Sequence, residues 1–142
     1  MPELSEDEAR RRFTAARVAR LATVDETGRP HLVPVVFARY GADGIVTAVD
    51  HKPKTTPRLK RLRNIAAQPS VSLLVDVYDD ENWDRLWWVR ADGDATLLSA
   101  DAAVVEPLRE KYPQYRERPP HATVILVTVS RWTGWQAAPF RR

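Results

Sequence analysis

Pro34 stands inside an eleven-residue run, Pro30 to Tyr40, whose Leu32, Val33, Val35, Val36 and Phe37 otherwise read as a β-strand. Proline has no N–H to give to a ladder, so this strand must lie at a sheet edge or bulge at that point. The run before it, Val18 to Asp25, alternates around Leu21 and Ala22. Between the two lies Glu26-Thr27-Gly28-Arg29, a turn in which Gly28 can take positive φ. The pair therefore reads as a hairpin.

The same grammar continues along the chain. Gly41 to Gly44 forms a turn before a strand from Ile45 to Asp50, and Val71 to Asp79 forms another. Leu86 to Asp92 and Ala95 to Leu98 are strands around a bend at Gly93, and Ala122 to Ser130 is a continuous β-branched strand. Helices are expected from Glu6 to about Ala16, behind the capping-box pattern Ser5-Glu6-Asp7-Glu8, and from Pro57 to about Gln68, with Leu59, Leu62 and Ile65 at helical spacing. A third, over Asp101 to Lys111, should be kinked or divided by Pro107, and Tyr112 to Pro120 reads as a polar loop. In sum there are about six short antiparallel strands with inserted helices, a pattern that favours a barrel or sandwich.

At 142 residues the chain is most simply one domain, residues 1–142, with an N-terminal helix within residues 1–16. It has no cysteine and only three histidines, His31, His51 and His121, too scattered for a recognisable metal motif. No signal peptide or membrane span is visible, so a cytoplasmic protein without a membrane partner is expected. No P-loop, Gly-x-Gly-x-x-Gly or Gly-x-Ser-x-Gly motif occurs. Asp76, Asp79, Asp80, Glu81 and Asp84 cluster at a turn, where aspartate is favoured for backbone reasons.

The segment His51 to Arg63 contains six Lys/Arg and no acid. Thr56 suits an N-cap and Pro57 the first helical position. Lys52, Lys54, Thr55 and Arg58 surround that helix start, whose unpaired N–H groups and positive dipole end suit a phosphate. The alternative is a solvated basic helix face. A net charge of +3 and the absence of interleaved aromatics argue against a nucleic-acid partner. His31 is a candidate hydrogen-bonding group near the hairpin turn. Five tryptophans are many for this length; the adjacent Trp87 and Trp88 must lie on opposite faces of one strand. An outward tryptophan suggests a homodimer interface.

These pieces in this order resemble the pyridoxamine-phosphate-oxidase-like split-barrel flavoproteins, and within them the branch that uses the deazaflavin coenzyme F420. The matching segments are Arg20 to Asp25, Gly28 to Val35, Val49 to Lys54, Leu59 to Asn64, Val71 to Asp76, Arg85 to Arg90, Lys111 to Tyr115 and Arg131 to Trp135. The resemblance implies a mainly β, six-stranded antiparallel split barrel (an FMN-binding split barrel) with a few peripheral helices, forming a homodimer with cofactor sites at the subunit interface. By carry-over, Lys52, Lys54, Thr55, Thr56 and Arg58 would hold the cofactor phosphate, and His31, Val33, Pro34 and Val35 would line its ring system. Aromatic residues from Trp83 to Trp88 of the second subunit would approach the other site.

The C-terminal Arg131 to Trp135 does not match the segment by which true pyridoxamine phosphate oxidases hold their substrate, which argues against that substrate. The cations beyond the phosphate seat, Lys60, Arg61 and Arg63, suit the polyglutamyl tail of F420 better than compact FMN. The implied activity is hydride transfer between reduced F420 and a small conjugated organic substrate. The alternatives are an FMN-dependent oxidase or reductase and a non-catalytic binder of either cofactor. Lys54→Ala is expected to weaken cofactor binding substantially in a fluorescence titration; unchanged affinity would mean that the phosphate seat is wrongly placed.

Overall fold

The computed structural model describes residues 3–49 and 56–137, with the backbone alone for residues 56–59. Helix α1 (Glu6–Ala15) is followed by β1 (Ala19–Val24), β2 (Pro30–Val35), β3 (Ala38–Tyr40) and β4 (Gly44–Ala48). Then come α2 (Thr56–Ala67), β5 (Ser70–Val77), β6 (Trp87–Ser99), α3 (Ala102–Lys111), α4 (Pro113–Glu117) and β7 (Thr123–Gln136). The strands form one antiparallel sheet in the order β2-β1-β5-β6-β7-β4-β3. Seven strands replace the six expected. The Pro30–Tyr40 run divides at Val36 and Phe37 into β2 and β3.

That division decides the shape. Strands β2 and β3 are the two edges of the sheet, yet only two residues separate them. A flat seven-stranded sheet would hold its edges roughly 29 Å apart at about 4.8 Å per strand spacing, whereas two linking residues reach only about 10 Å. The sheet must therefore curl until its edges meet, giving a barrel that is open between β2 and β3. Pro34 lies on the edge strand β2, opposite Arg20 of β1, as the missing N–H demands.

Four other sequence expectations change. The strands expected on either side of Gly93 are one continuous β6, with a register shift between Asp92 and Gly93. A Cβ at Gly93 would collide with the Thr128 carbonyl, so glycine lets β7 approach there without ending the strand. Arg131 to Trp135 belongs to β7, which pairs with β6 along the length of both. Helix α3 passes through Pro107 unbroken, because Val104, Val105 and Leu108 anchor one face of it in a buried cluster with Val46, Tyr112 and Val124. The expected Tyr112–Pro120 loop contains α4, started by Pro113 in its first turn.

The barrel interior is filled by Leu21, Phe37, Ile45, Leu73, Val89 and Val127. Helix α1 closes it: Ser5 caps the helix through Glu8 N–H, and Phe13 packs on Phe37 at 4.8 Å and edge-on to Trp132 at 5.5 Å. At the split, the Tyr112 hydroxyl accepts from Phe37 N–H (3.2 Å) and lies 2.9 Å from the Phe37 carbonyl and 3.0 Å from that of Arg17. It thus satisfies the backbone that no strand pairs at the β2–β3 link. Tyr112→Phe is expected to cost about 1–3 kcal/mol by leaving Phe37 N–H buried without a partner. Denaturant unfolding measures this, and an unchanged midpoint would remove the role.

Candidate functional site

Strand alternation sorts every residue of the sheet between the barrel interior and its outer face. On β1, Leu21 is inward, so Arg20 and Ala22 are outward. Register then places Leu32 and Pro34 of β2, Ser72, Leu74 and Asp76 of β5, and Trp88 and Arg90 of β6 beside them. Thr133 and Trp135 of β7 extend the same face. A shallow cleft of about 450 Å³ lies there, lined by Arg20, Ala22, Leu32, Leu74, Asp76 and Arg90. A second, of about 420 Å³, adjoins it through Ala22 and Ser72 and reaches Thr23, Pro30 and Asp92. Leu32 is 65% exposed and Leu74 37%, while Trp135 Nε1 and Thr133 Oγ1 are buried without a hydrogen-bond partner. Trp87 points inward against the core and Trp88 outward, with the Arg90 guanidinium 5.7 Å from its ring.

The residues expected to line a cofactor ring divide between the two faces. Pro34 is exposed on the outside, whereas Val35 is buried in the core and Val33 is partly buried against it. The side chains of those two valines therefore do not face a ligand, and register pairs their backbone with Leu21 and Ala19 of β1. His31 lies directly opposite Thr23 and is half-buried, with Nδ1 enclosed and unpartnered. A buried imidazole nitrogen without a partner is uncommon, and it suits a polar ligand atom at this edge.

Lys52, Lys54 and Thr55 of the expected phosphate seat lie outside the described residues. Thr56 opens α2 rather than preceding it, and Pro57 and Arg58 follow in the first turn. What the sequence did not disclose is how α2 is tied to the hairpin. Asn64 Nδ2 donates to Thr23 Oγ1 at 3.1 Å, both buried, and Lys60 Nζ lies 3.8 Å from Asp25 Oδ2. Thr23 is the cross-strand neighbour of His31, so one buried hydrogen bond joins the helix of the basic segment to the strand pair of the histidine. The only sequence signals were a threonine in a strand and an asparagine within a helix.

Asp25 Oδ1 accepts from Thr27 N–H, Thr27 Oγ1 and Arg29 N–H at 2.9, 2.7 and 2.9 Å. The Arg29 amide first, then the Thr27 hydroxyl, hold its carboxyl at about 2. Gly28 takes the positive φ of 89° that the turn requires. The acidic cluster behaves as turn chemistry: Asp79 accepts from Glu81 N–H and pairs with Arg85 at 3.3 Å, and Asp76 pairs with Arg20 at 3.7 Å. Among the described residues no group of His, Asp or Glu is arranged to hold a metal ion, and no helix is long and apolar enough to cross a membrane.

A family model described as pyridoxamine 5'-phosphate oxidase matches residues 5–136. The chain belongs to the pyridoxamine 5'-phosphate oxidase family. No curated protein matches it. A conserved hypothetical protein from Mycobacterium tuberculosis has a similar structure (TM-score 0.73, 21% identity, 98% of this chain and 91% of that one). So do a FAD-binding protein from Mesorhizobium loti (0.67, 22%, 94% and 95%) and a haem storage protein from Vibrio cholerae (0.66, 17%, 92% and 90%). At these identities the likeness is one of fold. The family's split barrel is the architecture of this chain, with seven strands.

Asp25 gives the hairpin a pH signature. Its folded-state value is depressed, so its contribution is present above about 3.8 and is lost as pH falls through about 2. Asp25→Asn is expected to be less stable than the parent at neutral pH and to flatten the loss of stability across that acid window. Parallel pH–denaturation curves for the two proteins would refute the assignment.

Proposed function

We propose that this protein is an oxidoreductase that holds coenzyme F420 along the β1–β2 edge, at an interface between two copies of the chain, and transfers hydride between the reduced deazaflavin and a conjugated organic substrate. The observation that carries the reading is the coupling of His31 to the basic helix: an edge strand with an unpartnered buried imidazole nitrogen, tied through Thr23 and Asn64 to α2. Family membership and the FAD-binding relative support a flavin-type ligand.

When bound, the deazaflavin supplies the hydride at C5 of its ring, so the protein's task is positioning and exclusion of water. The outward side of β2, which pairs with no other strand, offers backbone donors and acceptors to the pyrimidine edge of the ring. Proline at 34 keeps one of those positions free of an N–H. His31 Nδ1 supplies a further polar contact. Lys52, Lys54, Thr55, Thr56 and Arg58 would hold the phosphate. A second copy of the chain covers Leu32 and Leu74, gives Trp135 Nε1 and Thr133 Oγ1 partners, and shields the ring from solvent.

FMN is the second reading, and one observation favours it. Lys60, counted from sequence toward the polyglutamyl tail, turns to Asp25. That leaves fewer cations for a long anionic tail.

Fluorescence titration with F420 beside FMN separates the readings. F420 is expected to bind more tightly than FMN, and His31→Ala to weaken it about tenfold, the loss of one buried hydrogen bond. Leu74→Asp, which sets a carboxylate on the covered face, is expected to yield monomers in sedimentation and to lose the cofactor. FMN bound tightly with F420 ignored would replace the cofactor. Saturating F420 with no reduction of any quinone or enone offered would reduce the protein to a binder.

A further inference from the structure

Away from that edge, a groove of about 480 Å³ runs between the C-terminal half of α1 and the ends of β1, β5 and β6. Its volume is that of a small-molecule site. The apolar part is made by Val18, Val77 and Trp87, and both valines are 39% exposed although they sit in a concavity. The polar part is cationic. Arg11, Arg12, Arg17 and Arg20 reach it against two acids, Glu8 and Asp76.

These charges are held in place by the fold. Arg12 donates Nε to Glu8 at 2.6 Å and a terminal nitrogen to the Gln136 side chain at 3.1 Å, and its guanidinium lies 5.3 Å from the Trp87 ring centre. Arg11 also turns to Glu8, which draws that carboxyl down, the Arg11 hydrogen bond being the larger cause. Arg17 rests on the Tyr112 ring at 4.9 Å and gives one N–H to the Lys111 carbonyl. Arg20 meets Asp76 at 3.7 Å, half-exposed on both sides, a separation that leaves room for a competing anion. A guanidinium has five N–H donors, and these hydrogen bonds engage two on Arg12 and one on Arg17.

We infer that this groove binds a small amphipathic organic anion, an aromatic carboxylate in the simplest case. Its ring lies against Val18, Val77 and the edge of Trp87, and its carboxylate is taken by Arg17 and Arg20. Apolar surface in a pocket of this size gives affinity, and arginine is the residue whose fork matches a carboxylate. Arg12 and Arg17 are already held by hydrogen bonds and ring contacts, so less side-chain entropy is lost there on binding. The inference is independent of the cofactor reading, since the groove is lined by none of the residues assigned to that ligand. Arg20 and Asp76 line both this groove and the outer-face cleft, and so form the wall between them.

Calorimetric titration of the cofactor-free protein with 2-naphthoate, beside neutral 2-naphthalenemethanol, tests it. One acid per chain is expected, with the alcohol about tenfold weaker or worse, and the Trp87 indole resonance, assigned from Trp87→Phe, should move most. Arg17→Gln with Arg20→Gln should weaken the acid by about tenfold or more. Val77→Glu, which places an acid on an exposed position of the floor, should abolish binding whether or not the double variant folds. Equal affinity for acid and alcohol would overturn the inference. So would a response centred on Trp88 or Trp135, or binding unchanged in Val77→Glu.

Discussion

The link Val36-Phe37 joins the two edges of one sheet, and the rest of the molecule follows from closing that distance. Curling the sheet encloses a core that α1 can plug with Phe13. It also strands the backbone of Phe37, which lies between strands with no ladder to join. The Tyr112 hydroxyl answers that need, and Tyr112 is in turn the C-cap of α3. Helix α3 is thereby tied to the split by more than its apolar face. Lys111 adds a second tie, donating to the Thr14 and Ala16 carbonyls at the end of α1. Burial, with the positive charge of Arg17 beside it, brings that ammonium down to about 8, and the nearby Phe37 ring, 3.8 Å away, offsets part of the cost of holding a charge there.

Closure also determines where a ligand can go. Among the described residues the interior is filled by packed side chains, so binding surface comes from the outer face, from the unpaired edge of β2, or from places where a helix meets the sheet. Two of the three clefts lie on the outer face and the third where α1 meets the sheet. The edge of β2 adds unpaired backbone groups, because that strand has a neighbour on one side only. Helix α2 is fastened beside it by a buried Asn64–Thr23 bond rather than by surface charge. Such a bond is directional, so it sets the distance from helix to strand more sharply than the Lys60–Asp25 pair at 3.8 Å.

What was legible in the sequence was what backbone chemistry enforces locally. Pro34 announced an edge, Gly28 a turn of positive φ, Ser5 a cap, and the Trp87-Trp88 pair two faces of one strand. Non-local packing hid the rest. Gly93 reads as a bend, yet it keeps β6 continuous because β7 presses on it. Pro107 reads as a break, yet α3 tolerates one missing bond because three apolar side chains hold its face. The division at Val36 has no local signature: only the pairing of β3 with β4 on the far edge reveals it. Around the candidate site, the edge strand and the place of His31 on it were legible, while the hydrogen bond that ties β1 to α2 was not, since Thr23 and Asn64 are forty-one residues apart.

The outer face poses a final physical question, which the proposed pairing of two chains answers. Trp135 Nε1 and Thr133 Oγ1 have lost water without gaining a protein partner, and Leu32 beyond them has kept water it would do better to lose. Each deficit costs free energy in a lone chain. One apposed surface would remedy both, because an interface that excludes water from leucine also brings polar atoms within reach of the indole and the hydroxyl. A solvated face would instead be expected to leave its polar atoms open and its apolar atoms scattered. On this face the exposed leucines and the unsatisfied Trp135 and Thr133 atoms share one side, and that side adjoins the strand edge that carries His31. Dimer and cofactor site are therefore linked in this reading: a substitution that parts the chains should release the ligand as well.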